Sequence, residues 1–119
     1  MHHPTLVHIT SLSEARKAIE DIGSDPQSIP IMAPKMVFKV IKLDDIILQD
    51  AIIIKQDMLS LGGEVAVPKE TFELHKQTAS ILIGGTVHQL NMLVLKLKRH
   101  YPRIQTIATE LEKVIDRIE

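Results

Sequence analysis

Cysteine is absent from the 119 residues, which excludes a disulfide scaffold, thiolate catalysis and cysteine-ligated zinc or iron–sulfur centres. Tryptophan is absent too. One Tyr and two Phe are the only aromatic residues, so the chain has no run of rings on which nucleic-acid bases would stack. Charge of one sign is also lacking: fourteen Lys and Arg against fifteen Asp and Glu leave a formal net charge of −1, without the basic field that draws a protein to phosphates. Apolar runs are short. Ala51 to Ile54 and Leu93 to Leu95 fall far below the ~20 residues of a membrane span, and the N-terminus lacks the basic-then-apolar order of a secretory signal. The expected location is cytoplasmic.

What is present reads as one soluble domain, long enough to bury roughly 65% of its unfolded surface. After a loose start at Met1 to Pro4, Leu6, Val7 and Ile9 suggest a short strand. Ser11-Leu12-Ser13-Glu14 fits a capping box, Ala15, Ala18, Ile19 and Ile22 share a stripe, and Gly23 marks the stop of a first helix. Pro26, Pro30 and Pro34 then predict a stiff, extended connection without helix. Met36 to Leu43 is a β-rich run with apolar side chains on both faces, implying cover on both.

Asp44-Asp45 leads into a second helix, about Ile47 to Leu61, whose stripe is Ile47, Ala51, Ile54, Met58 and Leu61. Gln49, Asp50, Gln56, Asp57 and Ser60 gather on its opposite, polar side. Gly62-Gly63 stops it, and Glu64 to Pro68 reads as the strand that returns from a βαβ crossover. A polar stretch, Lys69 to Gln77, precedes a fourth strand near Ser80 to Ile83. Thr86-Val87-His88-Gln89 is a second capping box, opening a helix that Pro102 closes. Ile104, Ile107, Leu111, Val114 and Ile118 then mark an amphipathic last helix. The order β-α-β-α-β-β-α-α predicts an α/β fold: a single compact domain with about four strands, mostly parallel or mixed, flanked by helices. Tyr101-Pro102-Arg103 divides residues 1–101 from a C-terminal helix, 102–119.

No constellation for bond chemistry emerges. The histidines, His2, His3, His8, His75, His88 and His100, form no metal-ligand pair with acidic support, and neither metal nor cofactor is expected. Ser60 and Ser80 lack a nucleophile-elbow context, so no catalytic residue is assigned. Gly84-Gly85-Thr86 before a helix has two readings: a tight turn where glycine fits, or a cradle of free amides for an anion. In the second, Lys35, or Lys55 with its neighbour Gln56, would supply polar contacts. The basic cluster Lys96, Lys98, Arg99, His100, Arg103 lacks stacking partners. The stripe of the last helix must be covered, either by its own domain or by another chain.

Three stretches carry a resemblance. Ile29 to Lys35 (Ile-Pro-Ile-Met-Ala-Pro-Lys) continues through Val40-Ile41-Lys42-Leu43. Ile54 to Gly63 contains Lys55-Gln56-Asp57-Met58-Leu59-Ser60-Leu61-Gly62-Gly63, with Val65-Ala66-Val67 behind it. Ile81 to Thr86 is followed by Gln89-Leu90 and Leu95-Lys96-Leu97-Lys98. Together, over about residues 6 to 115, they resemble the N-terminal extension ahead of the catalytic barrel in one subgroup of bacterial dihydropteroate synthases.

A barrel needs about 200 residues or more, and the Asn-x-Thr-x-Asp-Ser-Phe signature of pterin chemistry is missing from this chain. No catalytic residue transfers. The resemblance therefore implies a non-catalytic accessory domain of folate biosynthesis that docks on a synthase barrel or self-associates, with Ile104 to Glu119 similar to the connector helix. The alternative is a small-molecule module holding a pterin pyrophosphate or nucleotide at Gly84-Gly85-Thr86. Neither nucleic acid nor membrane is expected as a partner.

Overall fold

Helix starts follow their local chemistry. In the computed structural model, which describes residues 1–69 and 77–119, helix α1 spans Leu12–Ile22. The Ser11 hydroxyl accepts the Glu14 N–H at 3.0 Å, and the Glu14 carboxylate accepts the Thr10 hydroxyl at 2.6 Å. Gly23 closes the helix at φ 87°, a left-handed conformation that a side chain would oppose. The polar stretch holding Phe72 and His75 lies mostly outside the described residues.

Two expectations for the first third are overturned. Leu6 to Ile9 forms no strand: Leu6 and Val7 are exposed, and only Ile9 packs against the core. These few residues pair with no strand among the described residues and run as an arm, tied down where Lys39 Nζ donates to the Thr10 carbonyl at 2.6 Å. The proline-rich connection is also not extended. It coils into α2 (Ile29–Met32) and a 3-10 turn (Ala33–Lys35). Pro30 and Pro34 each occupy a first-turn position, where an N–H has no intrahelical acceptor to lose.

Strand β1 (Phe38–Ile47) outruns its expected end, and Asp44-Asp45 sits within it, not at a helix start. A register shift between Leu43 and Ile46 accommodates the pair, with Asp45 at φ 55°. Helix α3 (Leu48–Ser60), strand β2 (Glu64–Ala66), strand β3 (Thr78–Thr86), helix α4 (Val87–Leu97) and helix α5 (Pro102–Ile115) follow.

The described residues therefore make an α/β domain of five helices on a three-stranded sheet ordered β1-β3-β2. Both pairings are antiparallel, with Val40 opposite Gly84 and Val65 opposite Ile83. The expected four strands and mostly parallel sheet are corrected. The physical reason is insertion: β1 and β2 both run opposite to β3, hence parallel to each other, as a β-α-β crossover requires. The crossover leaves a gap one strand wide, and β3 fills it.

The core lies between the sheet and the helices. Ile41, Ile46, Val65, Ile81 and Ile83 point into it from the strands, meeting Ile54, Met58, Leu90, Leu93 and Leu97. Helix α5 packs along α4, and its Ile104, Ile107, Ala108, Leu111 and Ile115 join the same cluster. The Glu119 carbonyl accepts the Ser13 N–H at 3.0 Å, linking the end of the chain to the first turn of α1. Among the described residues nothing covers the other sheet face, against expectation: Phe38 is 61% exposed, Val40 58% and Leu82 44%.

Candidate functional site

Two glycine pairs meet behind β3. Leu61 and Gly62 turn the chain out of α3, with Gly62 at φ 89°. A Cβ on Gly63 would stand 2.5 Å from Met58 Cε and 2.9 Å from the Gly84 carbonyl oxygen. A Cβ on Gly85 would strike Met58 Cε and lie 3.0 Å from Gln89 Oε1. These glycines are set by contact: the thioether of Met58 occupies the space their side chains would take.

The start of α4 is closed by its own side chains. Thr86 Oγ1 accepts the Gln89 N–H at 3.1 Å, and Gln89 Oε1 accepts the Thr86 N–H at 2.9 Å. The Gln89 Nε2 donates across to the Leu61 carbonyl at 3.1 Å. The Val87 N–H donates to the Val37 carbonyl at 2.9 Å. Three amides that an anion would use therefore already have acceptors within the chain. Gln89 couples the helix cap to the α3 turn, so Gln89→Ala is expected to cost about 1–2 kcal/mol, read as a lower urea midpoint at unchanged slope.

The remaining residues of that anion reading do not converge on it. Lys55 Nζ donates to the Val65 carbonyl at 2.6 Å and reaches Glu64 at 3.1 Å, clamping α3 onto β2. Its partner Glu64 is held below the usual carboxylate range, first by the Val65 N–H and then by Lys55. Gln56 is exposed on α3, and Lys35 is exposed on the 3-10 turn. Of the last-helix candidates, Ile104, Ile107 and Leu111 lie inside the chain's own core, whereas Val114 is exposed and Ile118 half-buried.

One charged group went unread in the sequence. Asp50, placed by periodicity on the polar side of α3, is only 1% exposed. Its carboxylate accepts Arg103 Nε at 2.6 Å and Nη2 at 2.9 Å, together with the Tyr101 hydroxyl. Arg103, itself half exposed, also lies over the Tyr101 ring at 5.0 Å. The Arg103 hydrogen bonds hold the Asp50 carboxyl below its ordinary range against the opposing effect of burial, and Asp50 in turn pushes the Tyr101 phenol up. This knot pins the Tyr101-Pro102 corner to the first turn of α3. A residue 53 positions away supplies the counter-charge, which no local pattern around Asp50 announces.

The basic cluster is similarly engaged. Lys98 pairs with Glu112 at 2.8 Å, His100 with Asp57 at 2.9 Å, and Lys96 donates to Ser60 at 2.5 Å. Among the described residues, no group of three or more His, Asp or Glu gathers in metal-binding geometry, and no helix is long and apolar enough to cross a membrane.

What stands open is the outer sheet face. Phe38, Val40 and Leu82 surround Gly84, and the Phe38 ring lies across that glycine, with Cζ 3.2 Å from where its Cβ would be. At the far end the Ser80 hydroxyl donates to Asp44 at 2.7 Å, and Lys42 approaches the same carboxylate at 3.6 Å. Ser80 first, then Lys42, holds the Asp44 carboxyl below its usual range. Compared with known proteins, the chain matches no protein-family model, no curated protein and no solved structure.

Proposed function

We propose that the chain is a non-catalytic accessory domain related to dihydropteroate synthesis, one that binds protein and leaves bond chemistry to a separate catalytic barrel. It docks on a synthase barrel or associates with its own copies. The observation that carries this reading is the apolar sheet face left in solvent around Phe38, Val40 and Leu82. Exposed apolar residues contiguous on a flat, ordered surface mark interaction sites more often than catalytic ones. The link to folate synthesis comes from the three stretches of sequence resemblance.

The test mixes the purified chain with a barrel-only dihydropteroate synthase. Co-elution of the two, or a change in the barrel's turnover, is the expected result. A chain that neither co-elutes, nor alters turnover, nor binds its own copies would overturn the reading. So would turnover of a pterin substrate by the chain alone.

A further inference from the structure

The open sheet face carries both halves of a contact with itself. One half is a projection, the Phe38 ring lying over Gly84. The other is a depression of about 220 Å³ lined by Lys42, Ala66, Val67, Ser80, Ile81 and Leu82. Gly84 and Leu82 are two residues apart on β3, so ring and depression are offset by roughly 7 Å along the strand. A projection beside a matching hollow on one surface is the shape requirement of a twofold contact, in which each copy inserts into the other.

We infer that this face binds a second copy of the chain, the Phe38 ring of each protomer entering the Lys42–Leu82 depression of its partner across a twofold axis that lies between the two faces, parallel to the sheets. The inference rests on the reading that the chain works by binding protein, and it names the surface and the occupant. Charge agrees with the choice of occupant. Lys42 pairs with Asp44 and Glu64 pairs with Lys55, so the rim carries both signs and two identical faces meet without net repulsion.

Two such faces would stack about 10 Å apart, as in a β-sandwich. An aromatic side chain entering a pocket of the partner would hold most of the binding energy.

The test is light scattering on the full chain over a wide concentration series. The wild-type mass is expected to rise toward twice 13.4 kDa. Phe38→Asp and, separately, Leu82→Lys are expected to stay at the single-chain mass throughout. Both positions are exposed, so circular dichroism melting should show each variant folded. Val114→Asp, on α5, is expected to leave the doubled mass intact. A wild-type chain that remains single at every concentration overturns the inference, as does a doubled mass that survives both sheet substitutions or vanishes in Val114→Asp. A single chain that still co-elutes with a synthase barrel ends the self-association claim alone; one that does neither ends the broader reading too.

Discussion

Gly63→Ala is expected to destabilise the fold by about 3 kcal/mol, at the upper end of what overpacking a core costs. The added methyl would lie 2.5 Å from Met58 Cε, 2.9 Å from Met58 Cγ and 2.9 Å from the Gly84 carbonyl oxygen. A terminal methyl can rotate aside. The Cγ lies near the α3 backbone and the carbonyl belongs to β3, so relief here requires β2 and β3 to part. In a chain of this length the loss corresponds to a melting temperature lower by roughly 10 °C.

Gly84→Ala provides the contrast, because its Cβ would crowd the Phe38 ring at 3.2 Å and meet Val40 Cγ2 at an ordinary 3.8 Å, on an exposed face where the ring can lift. A change within about 0.5 kcal/mol is expected there. Thermal unfolding of the two variants separates the cases. Equal losses would refute the view that Met58 and the β2–β3 spacing demand glycine at position 63. A double-mutant cycle of Gly85→Ala with Met58→Ala should show losses well short of additive, since the same atoms clash.

The second large effect is electrostatic. Asp50→Ala is expected to cost on the order of 2 kcal/mol at neutral pH, the scale of hydrogen bonds to a charged group. The carboxylate is the acceptor for both Arg103 and Tyr101, and removing it loosens the corner between α4 and α5. Because Asp50 is held below its unfolded value, its contribution is fully present above about pH 4 and is lost as pH falls through the lower folded value. Asp50→Asn, which cannot ionise, should therefore show a shallower acid limb in urea-unfolding stability. Glu14, Asp44 and Glu64 are also held low, so the wild-type curve falls for several reasons, and the difference between the two curves isolates Asp50. Parallel curves from neutral pH into acid would remove the ion pair from the account.

The helix ends were legible because their chemistry is local. The Ser11 hydroxyl finds the Glu14 amide, and Thr86 and Gln89 exchange hydrogen bonds three residues apart. The α3 stripe, the glycine stop after it and the apolar face of α5 follow from the same short-range periodicity. The arm misread as a strand shows the limit of this logic. Leu6, Val7 and Ile9 have strand composition, but a strand exists only where another segment completes its hydrogen bonds. The prolines were misread for a related reason: they resist the interior of a helix, while Pro30 and Pro34 stand at beginnings. At the candidate anion site, the glycines and the capping pair were visible, but Gln89 reaching the Leu61 carbonyl was not.

By itself, then, the amino-acid order determined where α1 and α4 begin, where α1 and α3 stop, most of the inward stripe of α5, and the absence of thiol chemistry. Those properties depend on neighbours within one or two turns. Tertiary structure alone decided that β3 lies between β1 and β2, that Asp50 is buried against a guanidinium 53 residues on, and that Phe38, Val40 and Leu82 are exposed on one sheet face. The physical reason is that strand pairing and the burial of a charge both require a partner that chain folding, not sequence proximity, brings into contact.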